Sequence, residues 1–297
     1  MEYLPQRKIL VLSGCAALFF IAAIVIFLCG YMRPYERLKL SPVSNMTRAE
    51  LVYLKKTAQD VKAVLVLAPG YNGDGKVFVC DRFWQDFARK HHLGLVGLSF
   101  SSTEADLHFR QGYYYVQNGS GQLLLDGIRR IYGKDLPLLL YGFSGGAHFV
   151  ARLAEWKPER VIGWCALSAG WWDNPYSLSE TPPGIIACGK GDDRKKASFE
   201  FFSKGRKLGR RWLWIENNNE GHEMSKKLEA FSRNYFSALL QNARGGWITF
   251  QGVPVESPPD DNLESLNWLP DMALLPQWKH LIFCDYDCRC EQDFVTD

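Results

Sequence analysis

Net charge is nearly absent from this sequence. Across 297 residues, 35 lysines and arginines face 32 aspartates and glutamates and leave +3. No basic block exceeds short clusters such as Arg194-Lys195-Lys196 and the 206–211 stretch, which excludes the electrostatic footprint of a nucleic-acid binder. No internal repeat is present, and apolar and charged fractions of 47% and 23% argue against disorder. The cysteines do not spell a metal site. Cys165 and Cys188 sit in apolar strand-like runs, where a thiol acts as a small hydrophobe. The C-terminal trio Cys284, Cys288 and Cys290 suits a disulfide in an oxidising compartment better than a metal; a zinc site would want a fourth ligand, the nearest obvious one being His280. The stretch from Gly70 to Lys76 follows the phosphate-cradling G-x-x-x-x-G-K pattern but lacks its last member. Val77 stands where a hydroxyl would ligate magnesium, and Asp74 would oppose phosphate. Neither metal nor cofactor is expected.

Long apolar runs are equally scarce, with one exception. Residues 9–32 carry no charge, and a helix at about 1.5 Å per residue would span a hydrocarbon core of about 30 Å. The expectation is a tail over 1–8 and a transmembrane helix or signal anchor over 9–32. A cleaved signal peptide, or a lipoprotein processed at Leu12-Ser13-Gly14-Cys15, is the alternative. The run is long for a signal, no A-x-A-like site ends it, and most of it follows Cys15 rather than preceding it. Arg7 and Lys8 nearly balance Arg33, Arg37 and Lys39 across the span, so charge does not orient it. The short N-terminal tail favours a single-pass protein with an extracytoplasmic domain.

Beyond the span, Thr47-Arg48-Ala49-Glu50 has the form of a capping box and predicts a short helix toward Gln59 within a linker over 33–62. From residue 63 the pattern alternates. Continuous apolar runs at 63–68, 93–100, 138–141, 161–168, 184–188 and 211–215 read as buried strands. Helical spacing recurs over 78–91, 122–132, 197–207 and 224–240, and behind Ser144 to about 155. That order predicts an α/β domain over 63–242, a mostly parallel doubly wound sheet with right-handed crossovers. From 243 to 297 the pattern changes. A strand pair is expected in 247–255 and a proline-rich loop at 257–261, in a packed appendage rather than a lid.

The stretch 136–153 joins strand, tight turn and helix, and its turn reads Gly142-Phe143-Ser144-Gly145-Gly146. This G-x-S-x-G places a serine at the tip of a strained turn, tolerable where the neighbours lack bulk. Ser144 is therefore the candidate nucleophile. A serine nucleophile needs a base, an acid that orients the base, and donors for the oxyanion. In open α/β sheets these collect outside the carboxyl ends of the strands. Asp192 and Asp193 follow the strand ending at 188, and His222 follows the strand ending near 215. Either aspartate fits the acid, with Asp192 preferred. His148, on the helix behind Ser144, is a second candidate base but reads better as packing. His91, His92, His108 and His280 read as structural. Trp171 and Trp172, with Tyr113, Tyr114 and Tyr115, are candidates for an aromatic substrate pocket.

Over roughly 64–240 these pieces together resemble an α/β-hydrolase. They are Pro69-Gly70-Tyr71 after the first strand, the Ser144 pentapeptide, Gly189-x-x-Asp192 and Gly221-His222. The nearest flavours are the polyhydroxybutyrate depolymerase-like and prolyl-oligopeptidase-like serine esterases. The resemblance implies Ser144 as nucleophile, His222 as base and Asp192 as acid. It also implies an oxyanion hole from the backbone amides of Tyr71 and Gly145. Pro69 stands where many relatives carry histidine, which leaves the first donor open between Tyr71 and Asn72. The antiparallel strands that usually open the fold are not evident, so a short version of the sheet is expected. The implied activity is cofactor-free hydrolysis of a small-molecule or polymer carboxylic ester by a membrane-anchored enzyme. Amide or peptide hydrolysis, or a non-catalytic binding protein on the same fold, are the alternatives.

Overall fold

The structure, a computed structural model, describes residues 35–54, 60–105, 110–176, 181–218, 220–257 and 263–283. Eight strands form one sheet. They are β1 (Tyr35–Lys39), β2 (Met46–Leu54), β3 (Ala63–Ala68), β4 (Leu93–Ser102), β5 (Leu138–Phe143), β6 (Val161–Leu167), β7 (Gly184–Gly189) and β8 (Trp212–Asn217). Their order is β1-β2-β4-β3-β5-β6-β7-β8, antiparallel where β1 meets β2 and β2 meets β4, and parallel from β4 to β8. Every residue of β3, β4 and β7 is buried, as expected of strands covered on both faces.

The covering helices are α1 (Lys76–Val79), α2 (Arg82–Lys90), α3 (Ser120–Tyr132), α4 (Gly145–Trp156), α5 (Lys195–Lys207) and α6 (Lys226–Leu240). Alternate strand residues feed two apolar layers. Val64, Val66, Leu138 and Leu140 face one with Phe149 and Phe202, while Leu65, Leu67, Leu139 and Tyr141 face the other with Trp84 and Phe231. The single helix expected over 78–91 is two, because Asp81 begins a second one: its Oδ1 accepts the amides of Phe83 and Trp84 at 2.9 and 3.2 Å.

Two expectations about the opening segment are overturned. Residues 47–50 form no helix cap; they lie in β2, whose backbone pairs with β4 from Met46↔Ser102 to Tyr53↔Val96. Glu50 of the apparent capping box and its neighbour Arg48 serve as ties instead. Glu50 accepts Arg37 of β1 at 3.0 Å, and Arg48 donates to the carbonyls of Asn72 and Gly73 at 2.7 Å each. Nor is the sheet short, because β1 and β2 are the antiparallel opening strands. Their buried faces are sparse and broken by charge, with Ala49, Leu51 and Val52 among Arg48 and Glu50, so the period-2 signal is weak.

The C-terminal region is packed against β8. The strand pair is β9 (Gly246–Thr249) with β10 (Pro254–Val255), and β11 (Leu266–Leu269) adds a third strand on the other side of β9. Helix α7 (Leu275–Phe283) follows. Asn267 Oδ1 accepts the amide of Trp214 at 2.6 Å, and the Trp278 indole donates to the Trp214 carbonyl at 3.1 Å. The apolar segment 9–32 and Cys284, Cys288 and Cys290 lie outside the described residues, as do His108 and most of the 257–261 loop. Among the described residues, no helix is long and apolar enough to cross a membrane. Cys80 is an exposed free thiol, and Cys165 and Cys188 are buried ones whose thiols burial pushes up to about 12.

Candidate active site

The turn between β5 and α4 holds Ser144 at φ 50°, ψ −112°, a conformation that L-residues rarely adopt. Contacts too close for side chains create it. A Cβ on Gly142 would lie 2.3 Å from the Gly146 carbonyl oxygen, and one on Gly146 would lie 2.0 Å from that of Ala68. Glycine at both positions lets β3, β5 and α4 meet backbone to backbone, and the Ser144 amide is tied to the Leu167 carbonyl of β6 at 2.8 Å.

Three side chains from three strand ends converge on that turn. Ser144 Oγ lies 3.0 Å from His222 Nε2, and His222 Nδ1 lies 2.9 Å from Asp192 Oδ2. Asp193 points to solvent instead. The loops carrying the acid and the imidazole are stitched together, Lys190 N–H donating to Asn217 O at 2.9 Å and Gly191 N–H to Glu220 O at 3.0 Å. The Glu220 carboxylate takes Asn217 Nδ2 at 2.8 Å and Ser225 Oγ at 2.7 Å, while Ser225 caps α6 through the Leu228 amide. The Phe143 ring lies 5.1 Å from the imidazole.

Burial alone would raise the Asp192 carboxyl. Hydrogen bonds from the Arg194 amide, His222, Ser168 and the Arg194 guanidinium outweigh it and hold the carboxyl at about 2. Asp192 is therefore a carboxylate at neutral pH. In that state it accepts a hydrogen bond from Nδ1–H and leaves the lone pair of Nε2 toward Ser144.

On the other side of Ser144 lies the 69–73 turn, where a Cβ on Gly70 would stand 3.8 Å from Ser144 Cβ. The two candidate donors in this turn differ. Asn72 N–H is engaged by the Tyr113 hydroxyl at 3.3 Å, and the Asn72 side chain is locked to the backbone of Ser102. The Tyr71 hydroxyl is anchored on Ser102 O at 3.1 Å. The amide of Gly145, first residue of α4, belongs to the helix N–H groups that have no intrahelical acceptor. The same turn closes the phosphate-loop question. Asp74 is tied to Ser99 and Arg37, and Gly75 packs on the backbone of Gly97 with its amide on Ser99 Oγ at 3.0 Å, so no amide cradle for phosphate opens there.

No protein-family model matches the sequence, and no curated protein matches it. Solved structures do. The S-formylglutathione hydrolase of Staphylococcus aureus aligns over 69% of this chain and 98% of its own, with a TM-score of 0.50 and 14% identity. The chain has the α/β-hydrolase fold. Two further similar structures are the fluorophosphonate-binding serine hydrolase F of S. aureus and the esterase PE8. The first has a TM-score of 0.49, 14% identity and coverage of 70% and 99%; the second has 0.48, 17%, and 63% and 97%.

In this α/β-hydrolase fold the remaining candidates fall beside Ser144 rather than on it. His148 is buried on α4, stacked between Tyr114 at 5.3 Å and Trp171 at 5.4 Å, and its Nε2 accepts Gly170 N–H at 3.2 Å. Burial, with Arg152 and Arg194 nearby, lowers its imidazole to about 3, so it is a neutral packing group. His91 packs on Phe87 at 4.6 Å, away from the turn. Trp171 is exposed, whereas Trp172 stacks on Phe201 at 4.2 Å. Both border an open cavity of about 670 Å³ that also holds Arg152, Asp173, Glu200 and Lys204. Ser144, His222 and Asp192 do not line it; its link to them is Gly170, on its rim, which packs under Arg194, the residue that holds Asp192. Ser168 and Arg194 escaped sequence reasoning. Their only signal was position, at the carboxyl edge of β6 and just behind Asp192.

Proposed function

We propose that the chain is a serine hydrolase that cleaves a carboxylic ester through an acyl-enzyme. The observation that carries this reading is the line Asp192–His222–Ser144, with separations of 2.9 and 3.0 Å, on a serine held at φ 50°. His222 Nε2 takes the proton of Ser144 as Oγ attacks the ester carbonyl, and Asp192 holds the imidazolium that forms. The Tyr71 and Gly145 amides bind the oxyanion. The same imidazolium then protonates the departing alcohol, and water, deprotonated in its turn by His222, releases the acid and restores Ser144. The cavity beside Trp171 and Trp172 receives part of the substrate. In this reading the segment 9–32 anchors the protein by a single pass, with the hydrolase domain on the extracytoplasmic side.

The test is labelling of the full chain with a fluorophosphonate probe, mass mapping of the adduct, and an ester and amide panel. The expected adduct is on Ser144 alone, absent in Ser144→Ala, with ester turnover falling about 10⁴-fold or more in that variant. A folded wild-type chain that neither labels nor turns over any ester would transfer the reading to a binding protein on a hydrolase fold.

A further inference from the structure

The segment 111–115 brings two tyrosines against the oxyanion side of Ser144. A Cβ on Gly145 would lie 2.7 Å from the Tyr114 hydroxyl and 2.9 Å from the Tyr113 hydroxyl, so both phenols close on the residue whose amide faces the site. Glycine is required there because the hydroxyls occupy the side-chain space. The two hydroxyls crowd the same point, their rings edge-on with centroids 4.5 Å apart, and Tyr113 Oη accepts the amide N–H of Asn72 at 3.3 Å.

Proton counting orders this cluster. Tyr113 Oη is the more enclosed of the two and already accepts from Asn72, so its own proton needs an acceptor, and Tyr114 Oη is the one at hand. With Tyr114 Oη as the acceptor of that hydrogen bond, its own O–H is left to point past Gly145. Desolvation raises both phenols, which keeps both protons in place at neutral pH. The Tyr114 ring has little freedom: it stacks on His148 at 24° interplanar angle and meets Tyr71 edge-on at 6.2 Å.

We propose that the Tyr114 hydroxyl is a third oxyanion donor, a catalytic residue beside the Tyr71 and Gly145 amides, and that Tyr113 positions it through the relay Asn72 N–H to Tyr113 O–H to Tyr114 O–H. This rests on the serine-hydrolase reading. Charge developing on the substrate oxygen polarises the whole chain, which makes the end donor stronger in the transition state than toward the ground-state carbonyl.

The experiment compares the full-length wild type, Tyr114→Phe and Tyr113→Phe on p-nitrophenyl acetate, with affinities for a trifluoromethyl ketone as a tetrahedral-adduct mimic. Tyr114→Phe keeps the ring and its stack. Its kcat is expected to fall about 10²-fold with KM little changed, and the ketone affinity to fall in parallel. Tyr113→Phe is expected to show the same signature at smaller size, because Tyr114 keeps its proton but loses its orienting partner. A folded Tyr114→Phe enzyme with wild-type kcat, or one losing kcat only in step with thermal stability, overturns the inference while leaving the hydrolase reading intact. Wild-type protein that neither labels with fluorophosphonate nor turns over ester overturns both.

Discussion

His148, buried on α4, sets a pH window for stability. Its imidazole titrates near 3 when folded and near its ordinary value of about 6.5 when unfolded. Between those values the unfolded chain binds a proton that the native state refuses, so stability falls as pH drops through the window. The charges that oppose protonation are Arg152, one turn further along α4, and Arg194, which reaches over Gly170. The expected contribution is up to about 4–5 kcal/mol lost between pH 6.5 and 3. Urea unfolding of wild type and His148→Gln at pH 7 and pH 4 tests it. The variant is expected to be less stable at pH 7, where the stack between Tyr114 and Trp171 is lost, yet to lose less on acidification. Equal slopes in the two proteins would contradict the assignment.

Among elements, the junction of β3, β5 and α4 matters most, because it is built from backbone alone. Nothing can yield at Gly146, where a Cβ would overlap the carbonyls of Ala68 and Pro69, at 2.0 and 2.6 Å. Gly146→Ala is therefore expected to cost more than about 4 kcal/mol, since the strain cannot be taken up by a side-chain rotamer. Chemical denaturation of the variant checks this, with loss of Ser144 labelling as a parallel readout. The stitched β7 and β8 loops work differently. Their geometry comes from hydrogen bonds between Gly191 and Glu220 and from the Glu220 carboxylate on Asn217 and Ser225. Asp192 and His222 are thus placed by a network that lies outside their own side chains.

At the scale of the molecule, the C-terminal region is held by Arg206, a fully buried arginine of α5 with no carboxylate partner among the described residues. Its guanidinium donates to the carbonyls of Leu266 at 2.8 Å, Leu263 at 3.0 Å and Arg210, and lies 4.3 Å from the Trp247 ring. Desolvation lowers it to about 10, so it remains charged at neutral pH. Arg206→Met would strand three carbonyls, two of them buried, and is expected to lose about 3 kcal/mol or more. Arg206→Lys should rescue little, because an ammonium cannot present a planar fork to three acceptors. Urea unfolding, with limited proteolysis of 243–283, distinguishes local release from global loss.

What the sequence by itself determined is the alternating α/β order from residue 63, the G-x-S-x-G turn, and the placing of Asp192 and His222 just behind strand ends. These signals are local, carried by continuous apolar runs and by glycines where side chains do not fit. What only the tertiary structure decided depends on contacts between distant segments. Residues 47–50 spell a helix cap in isolation but become β2, because β4 supplies their hydrogen bonds and Arg37 takes Glu50. Asp192 lies inward and Asp193 outward because Ser168, Arg194 and His222 meet on one side of that turn. The two tyrosine hydroxyls reach Gly145 across more than thirty residues of chain. No pattern of spacing records such meetings, since burial and hydrogen-bond satisfaction are properties of the folded assembly rather than of neighbours in sequence.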